Sequence, residues 1–385
     1  MTAIPRLSAR SARRLAITLA LAVAVSAPAA QAKPSFMSSL ASAMQENRVV
    51  TGGGSGPAAP VLMAWAEQFH QRSGKAVTFK LVLAPTAISE AASGALDFAV
   101  LSEPLSSGAL TARRLVQVPL LAGGIVPVVN LPEVGPGRLN LSGELLAQIY
   151  LGRIRRWDDP ALADLNPDTP LPALDVTVLH RADAAVPTLY LTAFLARRSA
   201  DWSALVGAGP RVSWPVGTPL IGEPAMVEAL RATPGAIGYA DFWSVRRSDL
   251  NTARLRNAEG RFVEARPPAF AIALGHTDWK AAMAGPALPV DAAGADSWPI
   301  TKTTFLVMSS HPKRLEHART VADFCRWAAA YGSDAAARDG QWPAPATLIA
   351  EFLPHGGGAP DTTGAPLSAL PAKPSPQTAE VSAER

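Results

Sequence analysis

The segment VLHRADAAVPTLY, residues 178–190, carries the clearest chemistry in the chain. Strand-forming residues run into Arg181, and Asp183 follows two positions later. A guanidinium presents a planar fork of donors that fits an oxyanion, and a carboxylate beside it can hold that fork through paired bonds. A plain surface ion pair suits the same spacing equally well, so spacing alone leaves both readings open. Where an anion-binding loop would continue with glycine and small hydroxylated residues, this chain has Ala184, Ala185, Val186 and Pro187.

TGGGSGPAAP, residues 51–60, reads as a glycine-rich turn between a strand-like Val-Val and a helix. Amides freed by such a turn at a helix N-terminus can hold an anion, although glycine-rich turns are more often only turns. The stretch lacks the GxxxxGK[ST] pattern of a nucleotide-triphosphate loop, and Pro57 spoils a G-x-S-x-G nucleophile elbow. The six histidines fall into no metal-ligand spacing. His180 reads as a strand-end side chain beside the loop acid Asp183, since no nucleophile lies nearby to complete a dyad. Trp157 and Trp298 read as packing residues, and Cys325, inside VADFCRWAAA, as a small buried hydrophobe. These features predict neither an enzyme, nor a metal site, nor a cofactor.

The elements that must position these residues alternate. PVLMAWAEQFHQRSG reads as an amphipathic helix with Val61, Leu62, Trp65 and Phe69 on one face and Gly74 just past its end. AVTFKLVLA, ALDFAVLS, LLAGGIVPVVNL, DVTVLH, GAIGYADF and TTFLVMSS read as strands; SGELLAQIYLG, PAMVEALRATPG and RTVADFCRWAAAYG read as helices. Such alternation predicts an α/β protein without internal repeats.

With 385 residues, 48% of them hydrophobic, the chain can fill two domains. Residues 1–32 have the layout of a secretory signal: Arg6, Arg10, Arg13 and Arg14, the apolar run LAITLALAVAV, and Ala30-Gln31-Ala32 as a cleavage site. Residues 33–48 read as a weakly patterned arm, and residues 355–385 as a disordered tail rich in Pro and Ala. The signal holds 4 of the 35 basic residues and no acid, which leaves 31 basic against 31 acidic residues. A formally neutral mature chain argues against nucleic acid as a partner. No later stretch approaches the roughly 20 apolar residues of a transmembrane span, and no cysteine follows the cleavage site to carry a lipid. The expectation is a periplasmic protein without stable membrane insertion.

Several segments together resemble the phosphate-binding proteins of bacterial phosphate ABC importers. IYLGRIRRWDDPALADLNPDTPLPALDVTVLHRAD, residues 149–183, is similar to that family's IYLG-x-I-x-x-WDD, LNP and Arg-Ala-Asp run. TGGGSGPAAPVLMAWAEQF, ALDFAVLSEPLS, PGAIGY and SWPITKTTF resemble the family's opening loop, second loop, Gly-Tyr strand and WPIT-x-TTF crossover, in the same order. The resemblance implies a type II periplasmic-binding-protein fold, with two α/β lobes that close on ligand about two crossover strands. Residues 49–126 with 300–354 would form lobe I, and 127–299 lobe II.

The implied ligand set departs from the family's pattern. Gly56 and Pro57 replace a Thr-Phe pair, Ala84 and Pro85 a serine and the turn after it, and residues 184–187 a Gly-Ser-Gly-Thr run. The aspartate that accepts the proton of phosphate becomes Ser102, with Glu103 next to it. Arg181 and Asp183 match, and Ser55, Thr86, Ser102 and Thr188 can replace part of the rest. The predicted ligand residues are therefore Ser55, Gly56, Thr86, Ser102, Arg181, Asp183 and Thr188. Each lost bond to a charged group is worth about 1.5–3 kcal/mol, so the resemblance implies weak phosphate binding, a related oxyanion, or none. Loss of the aspartate also implies weaker rejection of sulfate-like anions. The implied partners are inorganic phosphate or a related oxyanion and an ABC permease. The alternative is a degenerate scaffold or sensor that acts through a protein partner or a different ligand.

Overall fold

The run from Leu115 to Val129 forms one long strand that serves two groups of neighbours. Its near-continuous apolar sequence suits a strand covered on both faces, and all but Val116 are buried. Its first part pairs antiparallel with Thr301–Ser309, from Ser309 opposite Leu115 to Thr301 opposite Gly124. Its last part pairs antiparallel with Ala236–Asp241, from Asp241 opposite Ile125 to Ile237 opposite Val129. The description comes from a computed structural model and covers residues 48–54, 56, 58–248, 250–284, 288 and 290–353. The predicted signal, nearly all of the arm, Ser55, Pro57 and the tail lie outside these residues.

Beyond Thr301–Ser309 the sheet continues through Phe98–Leu101, Val50–Gly54 and Val77–Leu81, the last three mutually parallel. Beyond Ala236–Asp241 it continues through Thr177–Arg181 and Thr218–Leu220, again in parallel. The predicted strands and helices are present. The helix Ala59–Ser73 buries Val61, Leu62, Trp65 and Phe69, as its period requires, and packs on the helix Leu315–Tyr331 through an edge-on contact of Phe69 with Phe324, 5.5 Å between centroids. Cys325 is buried on that second helix, and burial pushes its thiol up to about 12. Trp157 and Trp298 are both fully buried, their indole N–H groups donating to the carbonyls of Gly235 at 2.9 Å and Ile125 at 3.0 Å. Both are packing residues.

One expectation needs correction. Thr51–Gly54 is not turn but the body of a buried strand, between Val77–Leu81 and Phe98–Leu101. The glycines are there because neighbours press on the strand: a Cβ on Gly52 would lie 2.1 Å from Cζ of Phe98, and one on Gly54 2.4 Å from the carbonyl oxygen of Val100. The ladder pairing of these glycines removes them from the predicted amide cradle. Of the described loop residues, Gly56 has φ +95°, a backbone conformation that glycine adopts without strain.

Candidate functional site

A cleft of ≈ 480 Å³ opens between the two groups of strands. Gly56, Ile88 and Ser102 to Leu105 line it from one side; Arg181, the Ala185 to Pro187 run, Glu223 and Asp241 line it from the other, and Lys302, on the strand Thr301–Ser309 between the two groups, completes the wall. A cleft of this size, open to solvent and walled by a mixture of apolar and charged side chains, has the form of a ligand site.

Arg181 ends the strand Thr177–Arg181, and the loop after it turns back on the arginine. Its Nε donates to Asp183 Oδ1 at 2.7 Å, and one terminal nitrogen donates to Asp183 Oδ2. The side chain keeps only 10% of its surface exposed. This bidentate fork holds the guanidinium still at the wall of the cleft, which Arg181 lines. The hydrogen bonds that Arg181 donates to Asp183 raise its pKa further, and the guanidinium, with the Gly222 amide, holds the Asp183 carboxyl well below the usual carboxylate range. Arg181 and Asp183 are therefore a fixed cation and anion at neutral pH.

The loop is set from behind by an aromatic stack. Trp214 lies between His180, at 5.0 Å and 18°, and Tyr239, at 5.9 Å and 26°. The Tyr239 hydroxyl accepts from the Arg181 amide at 3.1 Å and pairs with the Thr188 hydroxyl at 2.7 Å. Burial drives the Tyr239 phenol up to about 12, so it stays a neutral donor. His180 faces Trp214 rather than Asp183, and burial lowers its pKa.

The predicted residues fall into three groups. Arg181, Gly56 and Ser102 line the cleft, and a Cβ on Gly56 would sit 3.6 Å from Ser102 Oγ. Asp183 and Thr188 stand behind it: Asp183 grips Arg181, and Thr188 is fully buried with its hydroxyl on Tyr239. Thr86 is exposed on the helix Ala84–Ser93 and is not among the cleft-lining residues, while Ser55 lies outside the described residues. The amides of Ala182 and Ala185 donate to the carbonyls of Leu220 and Pro210, at 2.8 and 2.9 Å. Those two amides are already committed within the protein.

Sequence reasoning missed a second ion pair. Lys302 Nζ donates to Asp241 Oδ2 at 2.5 Å, with 4% and 7% of the two side chains exposed, and both residues line the cleft. Lys302 stands opposite Gly123 in the ladder, and a Cβ on that glycine would lie 3.4 Å from its Cε, so the missing side chain leaves room for the lysine stem. The Asp241 amide donates to Glu223 Oε1 at 2.8 Å, and burial, with the neighbouring Asp241 charge, raises the Glu223 pKa. The available signal was a single charge in each of two otherwise uncharged strands, TKTTFLVMS and AIGYAD. Glu103, exposed beside Ser102, and Glu223 return carboxyl groups to the cleft that the sequence comparison had lost. Besides the Arg181–Asp183 and Lys302–Asp241 pairs, Glu103 and Glu223 line the cleft with no cation of their own, so carboxyl groups outnumber cations there.

The chain matches the model of the PBP superfamily domain over residues 26–330. It is 34% identical over 300 residues to a protein of Haemophilus influenzae named phosphate-binding protein PstS, covering 78% of this chain and 90% of that one. A protein of the same name from Pasteurella multocida is 32% identical over 302 residues, covering 78% and 88%. Among solved structures, it is similar to the high affinity periplasmic phosphate-binding protein PfluDING, bound with phosphate, with TM-score 0.51, 16% identity and coverage of 78% and 92%. An ancestral soluble variant of the human phosphate binding protein gives TM-score 0.53 at 16% identity, covering 78% and 92%. These structural likenesses carry the fold, which is the type II periplasmic-binding-protein fold. The chain belongs to the PBP superfamily and, within it, to the PstS family, whose members are substrate-binding proteins rather than enzymes.

Proposed function

We propose that this chain is a periplasmic substrate-binding protein that holds phosphate or a related small oxyanion and presents it to the permease of an ABC importer. The observation that carries the reading is Arg181, held in a bidentate grip by Asp183 at the wall of an open cleft. In this reading Arg181 takes the oxyanion, Gly56 and Ser102 meet it from the facing side, and Ser55, next to Gly56 in sequence, is a further proposed ligand. Asp183 orients the arginine, and Thr188 acts through Tyr239. Thr86 joins the ligand when residues 49–126 with 300–354 and residues 127–299 close as two lobes about the crossover strands. The relatives named PstS and the export signal read from residues 1–32 support the periplasmic and transport parts of the reading.

Thermal unfolding of protein stripped of anion by unfolding and refolding tests the proposal. A ligand that binds only the folded state stabilises it by about 2.7 kcal/mol at a concentration of 100 times Kd. The melting temperature should climb steadily with phosphate, and a melt unmoved by phosphate up to saturating millimolar levels would remove the reading.

A further inference from the structure

We propose that the cleft is built for an organic oxyanion, a phosphonate or a phosphate monoester, whose tetrahedral head sits between Arg181 and Lys302 and whose carbon substituent packs on Ile88, Leu105, Val186 and Pro187. This rests on the oxyanion reading above and names the class of ligand.

The first argument is space: the open cleft, ≈ 480 Å³, is within the range of sites that admit organic ligands. The second argument is the wall. The residues after Asp183 present the side chains of Ala185, Val186 and Pro187 to the cleft, and Ile88 and Leu105 line it too. Leu105 is fixed there by Gln117, whose side-chain amide accepts from its N–H at 2.9 Å and donates to its carbonyl at 3.0 Å. Ala185 and Pro187 are already buried, but Ile88, Leu105 and Val186 are only half-buried, and a carbon substituent would cover what a bare inorganic ion leaves to water.

The third argument is Lys302. It occupies the variable position of the WPIT-x-TTF crossover, within SWPITKTTF. An ammonium carries three donors, and the bond to Asp241 takes one. Burying a lysine at the wall of a cleft is costly unless its other protons find acceptors, and the oxygens of a bound oxyanion supply them. The structure then has two cations, each tethered to its own aspartate, facing one cavity. Glu103 and Glu223 can accept from a P–OH, which a hydrogen phosphonate or a hydrogen phosphate ester carries.

The test is calorimetric titration of the full exported chain, stripped of anion, with phenylphosphonate, phenyl phosphate and inorganic phosphate. At least one of the two organic anions should bind 10-fold or more tighter than phosphate, and comparing them distinguishes the carbon-linked from the ester-linked ligand. The double variant Lys302→Met/Asp241→Leu, which removes both members of the pair, should weaken both by 10-fold or more. Ile88→Trp, which fills the wall from a surface helix, should bring the ratio of organic to inorganic affinity towards one. Phosphate binding as tightly as the organic anions, or tighter, would overturn the proposal and leave the oxyanion reading in place. The proposal would also fall if the organic anions bound normally to the double variant. If none of the three anions bound, both readings would fall.

Discussion

Replacing Lys302 with methionine removes one partner of a buried ion pair and leaves the other behind. The ammonium and the Asp241 carboxylate are 2.5 Å apart, with 4% and 7% of their side chains exposed, and Glu223 accepts a hydrogen bond from the Asp241 amide. With the lysine gone, Asp241 keeps a desolvated charge beside a second carboxyl group. Breaking a buried pair in this way costs about 3–5 kcal/mol. At about 2 °C per kcal/mol for a chain of this size, the melting temperature should fall by about 6–10 °C at pH 7. Lys302→Met/Asp241→Leu should recover most of the stability, since apolar residues can replace such a pair at little cost. Circular-dichroism melts and urea titrations of the wild type, both single variants and the double variant close the cycle. A Lys302→Met protein within about 1 kcal/mol of wild type, or a double variant no more stable than the worse single one, would refute the burial argument.

His180 has a folded-state pKa lowered by burial, so the unfolded chain binds its proton first. Stability should fall as pH drops below the unfolded value of about 6.5, and His180→Phe, which keeps a ring on Trp214, should flatten melts between about pH 5 and 7; an unchanged slope in the variant would contradict this. Gly52→Ala should cost about 1–3 kcal/mol or more because of the Phe98 ring, and Phe98→Leu in the same chain should restore part of it. Equal stability of Gly52→Ala and wild type in urea would show that the strand yields there. Sulfate should compete with phosphate at least about 10-fold less well, since Glu103 and Glu223 put acceptors in the cleft that only a protonated ligand can satisfy. Equal competition in a displacement titration would count against those acids meeting the ligand.

The elements were legible because their signals are local. A period of 3.6 residues placed Val61, Leu62, Trp65 and Phe69 on the buried face of one helix, and the apolar run LLAGGIVPVVNL marked the strand that crosses the molecule. Arg181 and Asp183 were legible as a pair because the two-residue spacing lets a loop fold one onto the other. What escaped depends on contacts distant in sequence. The glycines of Thr51–Gly54 look like a turn until Phe98 is known to cross Gly52, and Lys302 finds Asp241 61 residues away. Thr188 counted as a ligand hydroxyl on sequence, yet Tyr239, 51 residues on, engages it from inside. Periodicity cannot reveal which face of a helix start turns inward once a neighbouring strand offers a phenol.

On the function proposed above, Arg181 clamps an oxyanion although most of the surrounding cradle departs from the family's pattern. Calorimetric titration of phosphate into the stripped wild type and into Arg181→Ala, each first confirmed folded by its melt, tests it most directly. One to two charged hydrogen bonds at about 1.5–3 kcal/mol each predict saturable wild-type binding that weakens by about 10-fold to more than 100-fold in the variant. Equal affinity in the two proteins, or no saturable heat from the wild type up to millimolar phosphate, would contradict the account.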